Sequence, residues 1–161
     1  MLFRSPERVD IACRLARPFR RVRRFLPRFA REALALLPEI THVPPLPELS
    51  PAQGKRRGRV GFISGCVMGV MFGPTHAASV RLLNRAGWDV IVPPAQGCCG
   101  ALHAHSGNLE AARAAARRNI AAFAALDLDA ILINAAGCGS TLKEYGHLLA
   151  GDPAWAAPAA A

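Results

Sequence analysis

Three short apolar runs constrain this chain more than anything else in it. Each one ends close to glycine and cysteine, and each is followed by a helix-length segment. Arg59-Val60-Gly61-Phe62-Ile63-Ser64 leads into Gly65-Cys66. Trp88-Asp89-Val90-Ile91-Val92 leads through Pro93-Pro94 into Gly97-Cys98-Cys99-Gly100, and Ala130-Ile131-Leu132-Ile133-Asn134 leads into Gly137-Cys138-Gly139. Apolar runs of this length read as buried strands. The segments between them carry the helical period. A helix is expected from Thr75, with His76 in its first turn, Ala77, Val80, Leu83 and Ala86 on its buried face, and Gly87 as its stop. A second, capped by Ser106 or Asn108, is expected to run to about Leu126 with Arg113, Arg117 and Arg118 along one face. A third opens at Thr141. The order βαβαβα predicts an α/β fold built on a parallel sheet of three or more strands. In such a sheet all three strand ends fall on one edge, where open α/β sheets bind ligands.

Length and composition set the frame. A chain of 161 residues accommodates one domain of common size plus extensions. No apolar run approaches the ~20 residues of a membrane-spanning helix, and the N-terminus lacks the pattern of a secretory signal. The expectation is a cytoplasmic protein, where thiols stay reduced and clustered cysteines point to metal more often than to disulfide. The net charge of +9 is unevenly placed. Residues 1–59 hold fourteen Lys/Arg against five Asp/Glu, whereas residues 60–161 hold six of each.

This asymmetry suggests four regions. Residues 1–41 form a basic amphipathic arm, 42–58 a proline-rich linker, 59–150 the cysteine-bearing domain and 151–161 a disordered alanine/proline tail. In the arm Leu15, Phe19, Val22, Leu26, Phe29 and Ala33 recur at helical spacing among eight arginines from Arg14 to Arg31. Pro18 and Pro27 break it into short helical pieces. Such an arm suits the face of a neighbouring domain. Peripheral contact with an anionic membrane surface is the alternative, and nucleic acid is disfavoured because no recognition motif accompanies the charge. Cys13, alone in this arm, reads as a small buried apolar residue.

Cys66, Cys98, Cys99 and Cys138 carry the chemistry. Four thiolates hold either zinc or an iron–sulfur cluster. Zinc knuckles use Cys-x-x-Cys, which is absent here. An adjacent pair stands instead, with 31 residues separating Cys66 from Cys98 and 38 separating Cys99 from Cys138. Neighbouring side chains of an extended segment diverge, so both sulfurs reach one zinc ion only with a distorted backbone, whereas a cluster meets them on different irons. A zinc-stabilised α/β module is therefore the second reading. A thiol–disulfide enzyme is the third, and it lacks the Cys-x-x-Cys geometry of that class. His76, His103 and His105 fall near the same loops and read as structural or solvent-exposed, not as ligands.

Gly65-Cys66, Gly97-Cys98-Cys99-Gly100-Ala101 and Gly137-Cys138-Gly139-Ser140, with Lys143-Glu144-Tyr145-Gly146, also resemble a known family. It is the cysteine-rich (Cys-Cys-Gly, or CCG) domain shared by the glycolate oxidase iron–sulfur subunit, the heterodisulfide reductases and the lactate-utilisation oxidoreductases. The resemblance covers about residues 59–150, and its Cys-Gly-x-x-x-Lys-Glu-Tyr ending is most similar to the first such domain of the glycolate oxidase subunit. It implies a 4Fe–4S electron-transfer subunit, not catalytic alone, beside flavin-containing subunits that oxidise a 2-hydroxy acid and pass electrons toward the respiratory chain. Two departures stand out. Thr141 occupies the position of a further cysteine, and the ferredoxin-like and second cysteine-rich domains that the resemblance implies are missing. The chain therefore reads as a fragment or the product of a split gene.

Overall fold

The computed structural model describes residues 6–16, 18–35 and 44–160. Parts of the arm and the first residues of the linker lie outside the described residues. A four-stranded sheet organises the rest, formed by β1 (Leu49–Ser50), β2 (Gly58–Ile63), β3 (Trp88–Ile91) and β4 (Ala130–Ile133) in the order β1-β3-β2-β4. β2 is central and pairs in parallel with β3 (Val60 opposite Val90) and with β4 (Val60 opposite Ala130). The three expected strands are thus parallel and adjacent.

The sheet is nevertheless mixed, which corrects the expectation of a purely parallel one. β1 comes from the stretch read as a linker and runs antiparallel to β3, with Leu49 opposite Ile91. Two residues are too few to leave a period-2 signal. Pro47 and Pro51 flank the strand without interrupting it, which an edge position tolerates. Side chains fix it in place. Asn84 Nδ2 donates to the Ser50 carbonyl at 2.9 Å and to the Trp88 carbonyl at 3.1 Å, while Ser50 Oγ donates to Asn84 Oδ1 at 2.8 Å. Asp89 accepts from the Ala52 N–H at 2.8 Å and from Arg56 Nε at 2.6 Å, and these bonds hold its carboxyl below the usual range.

Helices cover both faces of the sheet. Alternation along β2 turns Val60 and Phe62 toward α4 (Gly73–Arg85), where they form a core with Val80, Val90 and Val92. The buried face of α4 is His76, Val80 and Asn84 with half-buried Leu83. Ala86 is exposed, contrary to expectation. Gly87, at φ +91°, turns the chain into β3. On the opposite face Gly61 lets α6 (Leu109–Ala124) approach closely. A Cβ at Gly61 would stand 2.8 Å from both Phe123 Cε1 and Leu128 Cδ1. Asn108 caps α6 by accepting from the Ala111 N–H at 3.2 Å.

The C-terminal residues differ from the disordered tail expected of their composition. α9 (Ala156–Ala160) follows α7 (Ala136–Lys143) and α8 (Tyr145–Leu148), and Trp155 and Ala159 pack on a cluster of Ala116, Tyr145 and Leu149. Arg117 pairs with Asp152 at 2.7 Å, and Arg113 Nε donates to the Leu148 carbonyl at 3.2 Å. Alanine alone buries little, so what orders this segment is long-range contact with α6.

Between Pro6 and Ala35 the described residues form α1 (Pro6–Ala16), two single 3₁₀ turns and α2 (Arg28–Ala35). Pro18 opens the first turn and Pro27 stands just before α2, where a missing N–H costs nothing. Cys13 is buried where α1 lies against α3 (Val67–Met71).

Candidate metal centre

The three parallel strands release their chains on one edge, and each chain turns there into a helix. After β2, Gly65 at φ +68° makes the turn that leaves Cys66 as the residue capping α3. After β3 the chain runs through Pro93-Pro94 to Cys98, Cys99 and Gly100, which precede α5 (Ala101–His105). After β4, Cys138 is the third residue of α7. The helix begins at Ala136, not at the expected Thr141, so Cys138 lies in its first turn and not in a loop. Thr141 turns its hydroxyl back to donate to the Gly137 carbonyl at 3.1 Å.

The four cysteines singled out from the sequence are brought together. All four line one cavity of about 290 Å³, along with Gly65, Met68, Ala101, Ile133 and Gly137. Cys66, Cys98 and Cys99 are buried and Cys138 is half-buried. Cys66 Sγ donates to Cys98 Sγ at 3.7 Å, and the Gly100 N–H points at the same Cys98 sulfur from 3.4 Å. Cys99 continues the chain of thiols to Cys138. These bonds shift the acidities of the thiols in opposite directions. Donation from Cys66, with help from Cys99 and the Gly100 N–H, holds the Cys98 thiol far below its usual value. Donation from Cys99 lowers Cys138 to about 7. The donors move the other way: Cys66 is raised by its bond to Cys98 and by burial, and Cys99 by its bonds to Cys138 and Cys98 and by burial.

Cys13 is not among the residues lining this cavity; burial and the Asp10 charge raise its thiol. His105 lines the cavity, and His103 helps lower Cys98 through its charge. His76 is buried and spoken for. Its Nε2–H donates to the Ser64 carbonyl at 2.9 Å, so Nδ1 accepts from Asn134 Nδ2 at 3.0 Å. Burial depresses its pKa and keeps the ring neutral.

Sequence reasoning missed the residues that hold the cysteine loops. Gln96 Oε1 accepts from the Ser64 N–H at 2.9 Å and its Nε2 donates to the Phe62 carbonyl at 3.0 Å, tying the ends of β2 and β3 together. Asn119 and Tyr145 contact the backbone of residues 97–99. One signal was available for Asn119. It falls at helical spacing on the stripe Ala112, Ala115, Ala116 and Phe123, so a polar side chain had to lie on the buried face of α6.

Chemically, the site is a set of soft donors. Among the described residues no three His, Cys, Asp or Glu side chains converge on a single metal ion. Four thiols spread around one cavity fit the sulfur ligands of a multi-iron cluster better than a mononuclear zinc site. Glycines at 65 and 137 leave the cavity wall open, since a Cβ at either would meet nothing within 4 Å.

Comparison with known proteins agrees with this chemistry. Residues 60–143 match the family model of the CCG cysteine-rich domain. The chain is 48% identical over 141 residues to a probable glycolate oxidase iron–sulfur subunit of Bacillus subtilis, covering 86% of this chain and 32% of the relative. It is 36% identical over 138 residues to the glycolate oxidase iron–sulfur subunit of Escherichia coli, covering 84% and 32%. It is also 36% identical over 101 residues to lactate utilization protein A of Geobacillus kaustophilus, covering 63% and 41%. The chain thus spans about a third of the length of the two glycolate oxidase relatives. No solved structure matches it. With the matched segment running from the first residues of β2 to the end of α7 and enclosing all four converging cysteines, the chain belongs to the CCG cysteine-rich domain family.

Proposed function

We propose that this chain is an iron–sulfur electron-transfer module of a 2-hydroxy-acid oxidoreductase of the glycolate oxidase type. The observation that carries the reading is the convergence of Cys66, Cys98, Cys99 and Cys138 on one cavity at the carboxyl edge of the sheet. These four residues would ligate the cluster, a 4Fe–4S core being the form that four thiolates match most simply. Such a cluster supplies one-electron transfer. The protein's part is to deliver the thiolates, to offset their charge with the Gly100 N–H and the helix N-termini behind each cysteine, and to exclude water with apolar walls. No substrate-binding residue is required here, so oxidation of the hydroxy acid falls to a flavin-containing partner subunit.

The arm belongs to the same reading. It turns Ile11, Leu15, Phe19, Val22, Phe25 and Phe29 to solvent among its arginines. We assign that face to docking on a partner subunit or on further iron–sulfur domains, with an anionic membrane surface as the alternative. Among the described residues no helix is long and apolar enough to cross a membrane.

The test is serine substitution of each of the five cysteines, with iron counted and electron paramagnetic resonance recorded after anaerobic loading. Cluster loss is expected in the Cys66, Cys98, Cys99 and Cys138 variants, with Cys13→Ser unaffected. Full cluster retention in Cys98→Ser or Cys99→Ser would refute the assignment.

A further inference from the structure

Asn119 and Tyr145 lie outside the set of thiols, yet together they hold three successive backbone groups of the cysteine loop. Asn119 Oδ1 accepts from the Gly97 N–H at 2.8 Å. Its Nδ2 donates to the Cys98 carbonyl and to the Tyr145 hydroxyl, both at 3.0 Å. The Tyr145 hydroxyl in turn donates to the Cys99 carbonyl at 2.8 Å. Both side chains are buried, at 2% and 5% exposure.

A buried carboxamide on the alanine face of a helix is a liability unless all its hydrogen bonds are made. Here both N–H groups and the oxygen are engaged, and two of the three bonds go to the loop. The tyrosine hydroxyl accepts once and donates once, so a phenylalanine there would keep the packing and hold nothing. The consequence is geometric. Adjacent side chains diverge, and the rotation of the peptides around them decides where each sulfur points. Fixing the Gly97 N–H and the carbonyls of Cys98 and Cys99 fixes those peptides.

We propose that Asn119 and Tyr145 are a positioning pair that sets the Cys98–Cys99 backbone in the cluster-free protein, directing the Cys98 sulfur to Cys66 and turning Cys99 to the same cavity. The pair also links two of the three cysteine segments, because Tyr145 follows Cys138 by seven residues on the next helix. This deepens the cluster reading and rests on it only for the purpose of the geometry, not for the geometry itself.

The experiment uses the whole 161-residue chain, reduced and cluster-free, and compares Tyr145→Phe with Leu149→Val. Leu149 is buried in the same apolar cluster as Tyr145 and bonds to the loop through no side-chain group, so it reports loss of packing alone. Amide hydrogen exchange is read at Gly97 and Gly100. Tyr145→Phe removes two hydrogen bonds and should speed exchange at both amides roughly tenfold, while Leu149→Val leaves them near wild type. Asn119→Asp should act in the same direction, since it keeps the acceptor for Gly97 and loses the donor to Cys98. Wild-type protection in Tyr145→Phe, or equal loss in Leu149→Val, would overturn the proposal. In the loaded protein the rate of iron release to a chelator should rise roughly tenfold in Tyr145→Phe and little in Leu149→Val. If wild type takes up no iron, the cluster reading falls, and the exchange result alone decides the pair.

Discussion

Replacing Gly100 by alanine adds one methyl group where the cysteine loop meets the backbone of α6, and Gly107 provides the matched comparison. Both glycines have positive φ, +87° and +78°. An alanine in that region costs about 1–2 kcal/mol. At Gly107 nothing else is added, because its Cβ would meet no atom within 4 Å. At Gly100 the Cβ would stand 3.1 Å from the Ala112 carbonyl oxygen, 3.3 Å from Ala112 Cα and 3.3 Å from Ala115 Cβ. Two of these are backbone atoms of α6, which yields only by moving the helix, so overpacking adds roughly 1 kcal/mol or more. Gly107→Ala should therefore cost about 1–2 kcal/mol and Gly100→Ala about 2–3 kcal/mol. For a chain of this size the melting temperatures should fall by about 3–6 °C and 6–9 °C respectively. The assay is urea unfolding of the reduced, cluster-free protein, followed by circular dichroism, with equal m-values required for the comparison. The substitution also shifts the N–H that faces Cys98 Sγ, so Gly100→Ala alone should weaken iron retention. Equal destabilisation by the two alanines would refute the close-approach argument.

Leu149→Ala removes a fully buried side chain from the cluster beneath α9 and should cost about 2–5 kcal/mol in the same unfolding assay. Asp152→Asn breaks a pair whose partners are 20–33% exposed, and screening limits its cost to about 1 kcal/mol or less. In the cluster-free protein at pH 7 a thiol-alkylating reagent should label Cys138 first, since it is the half-buried cysteine and its thiol sits at about 7. Peptide mapping after brief exposure reads the order, and faster labelling of Cys13 would contradict it. His76 titrates below its unfolded value, so the folded state binds fewer protons there. Its stabilising contribution is complete above ~pH 6.5 and is lost as pH falls from there through the folded pKa. Urea midpoints from pH 7.5 to 5.5 should drop more steeply in wild type than in His76→Gln.

The sequence was most informative where the fold repeats itself. Three apolar runs with glycine and cysteine at their ends located β2, β3 and β4 within a residue or so, because strands of a parallel sheet read as nearly continuous apolar stretches, even β4, which is exposed or half-buried here. The shared edge followed from that repetition, and with it the meeting of Cys66, Cys98, Cys99 and Cys138. What escaped was whatever depends on distant partners. β1 has two residues and exists only because β3 offers an open edge. α9 has the composition of a loose tail and is held by Trp155 and by Asp152 against α6. The early start of α7 also went unread, since Gly137 and Gly139 in a first turn count against a helix on propensity alone. Asn119 and Tyr145 are each ordinary in the sequence and acquire meaning only once the loop lies between them.

The position of β2 at the centre of the sheet has a temporal consequence. Of the four converging cysteines, a chain leaving the ribosome presents Cys66 first and the adjacent pair from 32 residues later, after which β2 and β3 can pair. Cys138 joins only when β4 has closed on the other flank of β2, 72 residues after Cys66. A nascent chain therefore carries an incomplete donor set through most of its synthesis, exposed to any soft ion it meets. On the cluster reading, the full set of four thiols is in place only once β4 has paired with β2.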